Sequence, residues 1–140
     1  MKRMTCLFCL IVLVLSLSLP LASCQKAEFT VDEAVAVFEE DDVYLVREYG
    51  EDMIAPIRES IEEALGHETE IVAIVHVINQ KTSVPNLEFT YIYEFTDLDD
   101  AKWFETNRSS YVSTLEGGRC VRLGKIVVFG TSPLIDTIGK

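Results

Sequence analysis

Few side chains in this 140-residue chain could do chemistry, and their neighbours set what each could do. Cys24 closes the stretch "LASC", with Ala22 and Ser23 just before it and Leu21 three positions back. A thiol is the strong nucleophile of that set, and small neighbours leave room for a bulky electrophile and a protease. Cys120 stands beside Arg119 and near Arg122, cations that favour a thiolate, at what reads as a half-buried strand start. His76 interrupts the apolar run "IVAIVHVIN" on the side of Val72, Ile74 and Ile78. To act as a base or ligand it needs a carboxylate or thiol from a neighbouring strand. His67 follows Gly66 in a turn and reads as solvated.

Carboxylates cluster at Glu39–Asp42, Glu48–Asp52 and Asp97–Asp100. None has the alternating oxygens and central glycine of an EF-hand loop, so they read as helix caps and solvated surface. No HExxH, G-x-S-x-G or phosphate-loop pattern occurs. No catalytic residue, metal site or cofactor is therefore expected, and the chain reads as a non-enzyme. The strongest competing idea is a ligand pocket built from Tyr91, Tyr93 and His76, with Phe89, Phe95, Trp103 and Phe104 close by. A strand core under helices accounts for the same aromatics.

Lys2 and Arg3 precede an uncharged apolar run from Cys6 to Leu19, the layout of a secretory signal. Pro20 ends the run before the roughly 20 residues a spanning helix needs. Leu21, Ala22, Ser23 and Cys24 together resemble the lipobox of bacterial lipoproteins. In that family the thiol receives a diacylglyceryl group and the signal is cut just before it. The resemblance covers the first two dozen residues and implies acylation at Cys24, a membrane anchor with palmitate-type chains, and residence at the cell envelope. An ordinary signal peptide cut after Cys24 stays open, since Ala22 and Cys24 also fit a small-x-small rule. "NRS" at 107–109 would then match a glycosylation sequon.

The resulting division is a lipoprotein signal peptide over 1–23, a lipid-anchored tether over 24–29 and a single domain over 30–140. Removal of residues 1–23 would leave 117 residues and a formal charge of −13 in place of −11. Such a charge disfavours nucleic acid. Cys6 and Cys9 leave with the signal, so a Cys24–Cys120 disulfide is possible only if Cys24 is not acylated.

The elements that must position these residues follow from local pattern. Thr30 and Glu33 form a capping box ahead of a helix with Val31, Ala34, Val35 and Phe38 on one face. "VYLVREY" (43–49) reads as a strand. "EDMIAPIRESIEEALG" reads as a helix with Ile54, Ile57, Ile61 and Leu65 inward, Pro56 in its first turn and Gly66 as its stop. Residues 69–79 are apolar on both alternations, which predicts a strand covered on two sides. "LEFTYIYEF" (87–95) alternates, which predicts a half-exposed strand. A helix follows over 96–115, ended by Gly117 and Gly118, then a bent strand or hairpin pivoting on Gly124 and a helical turn at "SPLID". Apart from the first helix the order is β-α-β-β-α-β. This predicts an α+β, ferredoxin-like split βαβ arrangement, an antiparallel sheet with two helices on one face. The extra N-terminal helix would cover the other face.

Fold of this kind does not name an activity. The expectation is a lipid-anchored extracytoplasmic module that binds an envelope protein or other component. It would stand on the outer side of the cytoplasmic membrane or, Gln25 not being the aspartate tied to inner-membrane retention, in the outer membrane. The alternative is a ferredoxin-like dimer enclosing an aromatic pocket, as a ligand carrier or small enzyme.

Overall fold

The Thr30–Glu33 capping box forms as expected and starts the first helix. Glu33 N–H donates to Thr30 Oγ1 at 3.3 Å, and Thr30 N–H donates to Glu33 Oε2 at 2.9 Å. The computed structural model describes residues 29–138. The signal, the Leu21–Cys24 motif and most of the tether lie outside the described residues. In chain order the elements are α1 (Val31–Glu39), β1 (Tyr44–Glu48), α2 (Glu51–Leu65), β2 (Ile71–Asn79) and β3 (Phe89–Phe95). They are followed by α3 (Leu98–Val112), β4 (Gly118–Leu123), β5 (Ile126–Thr131) and α4 (Ser132–Ile135).

The strands form one antiparallel sheet in the order β1-β2-β3-β5-β4, with α2 and α3 on one face. The α+β class, the antiparallel sheet and the extra helix on the opposite face are all as the residue pattern predicts, in keeping with a ferredoxin-like α+β plan. The pairing adds a detail no local pattern carries: β1 lies directly beside β2, and β3 beside β5. β1 and β4 are the open edges.

Two cores result, one per face. On one side Val31, Ala34, Val35 and Phe38 of α1, with Leu134 and Ile135 of α4, pack on Val75, Val77, Ile92, Ile126 and Val128. On the other, Ile54 and Ile61 of α2 and Ala101, Phe104 and Val112 of α3 pack on Ile71, Ile74, Tyr93, Phe95, Val127 and Phe129. α1 also explains a departure from expectation. β3 is not half-exposed: Thr90 and Ile92, on its supposed outer side, are both 0% exposed. Thr90 avoids a buried orphan hydroxyl by donating to Phe129 O at 3.2 Å.

Two further departures are local. Register slips between Ile71 and Ala73, so Val72 is bulged out and 57% exposed rather than sharing a face with Ile74, His76 and Ile78. Pro56 sits in the second turn of α2, not the first, because the helix begins at Glu51 behind Gly50. One intrahelical hydrogen bond, to the Asp52 carbonyl, is therefore absent. Gly66 ends α2 in the left-handed conformation (φ 79°), its N–H donating to Glu62 O at 2.8 Å. Gly130 is required for another reason: a Cβ there would stand 2.2 Å from the Phe89 carbonyl oxygen, so only glycine lets β5 approach β3 this closely.

Phe38 is 0% exposed and packs edge-on against Tyr44, centroids 5.2 Å apart. We expect Phe38→Ala to destabilise the domain by about 3–5 kcal/mol. A lowered urea midpoint with an unchanged m-value checks this.

Candidate functional site

Antiparallel register aligns side chains in rows across the sheet, and on the α2/α3 face these rows differ in how far the helices cover them. The lowest comprises Ile74, Tyr93 and Val127, which pair in register and are all buried. The next is Arg47, His76, Tyr91, Phe129 and Cys120, one residue from each strand. The row beyond contains Leu45, Ile78 and Phe89. Here the cover has run out: Leu45 is 50% exposed, and Ile78 and Phe89 are half-buried. The sheet therefore carries a shelf, walled by packed helices on one side and open on the other.

The middle row is a stack of rings. His76 and Tyr91 are parallel, with centroids 4.1 Å apart and planes 3° apart. Tyr91 and Phe129 continue the stack at 5.4 Å. Phe89 meets His76 and Tyr91 edge-on at 6.4 and 6.0 Å. Arg108, reaching from α3, lies over the rings of Phe104 and Phe129 at 5.0 and 5.7 Å, an arrangement that favours a cation.

Of the three aromatic residues expected to line a pocket, His76 and Tyr91 come together on this shelf. Tyr93 faces the same way but is core, 5% exposed beneath the helices and packed on Phe104 at 4.7 Å. Burial pushes both phenols up to about 12, with the Tyr49 hydroxyl beside Tyr91 adding to it. Both remain neutral donors at ordinary pH. The His76 imidazole is held below its ordinary value, first by burial and then by the positive charge of Arg47. Arg47, Phe129 and Arg108 were not singled out from sequence. The alternation of β1 could have flagged Arg47, but only with the β1–β2 register in hand.

A second polar cluster lies at the far end of the sheet. Asp100 is nearly buried and holds two groups at once. Thr69 Oγ1 donates to Asp100 Oδ2 at 2.6 Å, and His67 Nε2 lies 2.8 Å from Asp100 Oδ1. Asp97 caps α3, accepting from the N–H groups of Asp99 and Asp100 at 2.7 and 3.1 Å. The acidic run is thus partly structural, and His67 is not merely solvated. Together these bonds pin the connection from α2 to β2 against the first turn of α3.

Cys120 is half-buried with Sγ 3.8 Å from Glu105 O. Burial pushes its thiol up, so the nearby arginines do not make it a thiolate. Arg122 pairs instead with Glu105 at 3.0 Å, and Arg119 with Asp136. Two shallow grooves lie elsewhere on the described surface. One of about 230 Å³ runs between α2 and α3 past Ile61, Trp103 and Arg108. One of about 200 Å³ lies beside β4 between Val121 and Ile135. Among the described residues no helix is long and apolar enough to cross a membrane. No family model, curated protein or solved structure matches the chain.

Two measurements probe these arrangements. In an NMR titration His76 should protonate below the ordinary imidazole value of about 6.5. The unfolded chain then takes up that proton first, so this contribution to stability is intact above about pH 6.5 and is lost as pH falls through the window below it. Comparing stability against pH for wild type and His76→Gln isolates the effect: the variant should lose stability less steeply between about pH 6.5 and 5. Separately, Asp100→Ala strands the Thr69 hydroxyl and should cost about 2–3 kcal/mol in chemical denaturation.

Proposed function

We propose that the chain is a lipid-anchored lipoprotein, exported from the cytoplasm, whose domain is a non-enzymatic binding module at the cell envelope. The observation that carries this reading is Leu21, Ala22, Ser23 and Cys24 following the apolar run behind Lys2 and Arg3. In this scheme the Cys24 sulfur becomes a thioether to a diacylglyceryl group, and the chain is cut before it. One acyl chain holds a protein at a membrane only marginally, at about 0.8 kcal/mol per buried methylene, whereas two hold it durably. The tether from Cys24 to Phe29 reaches at most about 3.5 Å per residue, so the domain rides close to the bilayer. Its acidic surface is repelled by anionic head groups, which leaves attachment to the lipid.

The binding role draws its support from the open shelf of Leu45, Ile78 and Phe89 above the His76–Tyr91–Phe129 stack, apolar surface in an otherwise acidic domain. The same stack favours a second reading, a dimer that closes two such shelves over a small molecule. Light scattering on the purified protein separates the two: a monomer at all concentrations removes the dimer.

The anchor is tested by intact mass of the membrane-extracted protein. The expected species begins at Cys24 and carries a diacylglyceryl group. Cys24→Ser should abolish that mass and shift the protein from the membrane to the soluble fraction. An unacylated native chain beginning at Gln25 overturns the anchor.

A further inference from the structure

We propose that the open shelf on the α2/α3 face binds a small apolar organic acid, its hydrocarbon body on Leu45, Ile78 and Phe89 and its carboxylate against Arg47. This rests on the reading of the domain as a binding module and adds the chemistry of what it binds.

Charge is the first argument. Acidic residues outnumber basic ones 23 to 12 in this chain, so a cation left without a carboxylate calls for a reason. Arg58, Lys102, Arg119 and Arg122 each sit on a carboxylate. Among the described residues, Arg47, Arg108 and Lys81 have none within ion-pair distance, although Glu48 adjoins Arg47 in sequence. Lys81 lies in the turn that follows β2, whereas the two arginines lie along one row of the sheet. Arg47 stands in register beside His76 at the start of the ring row, and Arg108 lies over Phe129 at its other end. Arg47, exposed at the open end of the row, thus carries a positive charge that no carboxylate neutralises, while Arg108 is held over the rings at the covered end.

Ring orientation is the second argument. His76 and Tyr91, both half-buried, stack face to face and turn their edges rather than their faces away from the sheet, while Phe129 continues the stack under the helices. Ring edges carry the positive part of the aromatic quadrupole. The open floor beside Arg47 therefore favours negative charge, while the neighbouring row of Leu45, Ile78 and Phe89 favours hydrocarbon. A ligand that satisfies both is apolar with an acidic end.

Size is the third argument and decides between a small molecule and a macromolecule. Three inter-strand steps from β1 to β5 span about 14 Å, and two rows of side chains cover about 10 Å along the strands. That footprint is a fraction of the roughly 800 Å² each partner contributes to a stable protein interface. It matches a molecule of one or two rings, or a short acyl chain.

The test uses the full chain with 2-naphthoate and its neutral isostere 2-naphthamide, followed by NMR. Naphthoate should shift the resonances of Leu45, His76, Ile78 and Phe89. The amide should bind the same place at least about threefold more weakly. Arg47→Gln, an exposed substitution, should bring naphthoate down to the affinity of the amide and leave the amide unchanged. Equal affinity of the two compounds, or indifference to Arg47→Gln, overturns the acid selectivity while leaving the binding face intact. If neither compound perturbs the shelf, or the shifts fall on the groove between α2 and α3, the shelf is not a small-ligand site and the proposal fails. Shelf resonances that change with protein concentration in the absence of probe assign the surface to a second copy, and overturn it as well.

Discussion

β2 and β3 are apolar on both sides, and a strand of that kind cannot remain in water on either face. Most of the architecture answers this one demand. α1 and α4 cover one face, α2 and α3 the other, and each helix brings a stripe of branched or aromatic residues matched to the sheet below it. Yet the helices of the second face do not reach across it. α2 begins directly after β1 and runs toward the start of β2, while α3 lies over β3, β4 and β5. Apart from the bulged Val72, the demand is met incompletely at the uncovered corner over Leu45, Ile78 and Phe89, beside His76, Tyr91 and Arg47.

Electrostatics sharpens the contrast between that corner and the rest of the surface. Elsewhere the acidic excess is organised locally. Asp97 caps a helix, Asp100 is committed to Thr69 and His67, and Glu105 and Asp136 hold the two arginines of β4. Each carboxylate so engaged offsets a backbone dipole, a hydroxyl or a cation that would otherwise be unsatisfied. On the shelf the order is reversed, with Arg47 exposed, His76 and Tyr91 half-buried beside it, and no carboxylate among the side chains of its two rows. A field of this sign, set in a low-dielectric aromatic wall, acts over a short range and against the charge of the whole domain.

Features decided within a few residues were legible in the sequence. The Thr30–Glu33 box, the Gly66 stop, the Gly124 hairpin and the double-sided apolarity of β2 all depend on neighbours in the chain, and all appear where their chemistry places them. Features decided by register were not. Whether β2 lies next to β1 is a non-local pairing, and a one-residue slip reverses every face. The bulge at Val72 is such a slip, and it undid the grouping of Val72 with His76. β3 looked half-exposed because Glu88, Thr90 and Glu94 are polar, but polarity alone does not reveal that Thr90 finds a carbonyl inside the core. The site was half legible for the same reason. His76 and Tyr91 could be named as residue types, whereas Arg47 and Phe129 join them only through the strand order.

The two open edges of the sheet bear on how such a protein behaves at high local density. An unpaired strand edge is a template on which another copy can add its own strand. β1 presents Arg47 and Glu48 along its length, and β4 presents Arg119 and Arg122. Asp136 and Glu105 hold those two arginines, so a strand adding to the β4 edge would have to desolvate charged side chains to do so. Charge placed along an edge in this way works against copies of the fold zipping into continuous ribbons when they are crowded side by side.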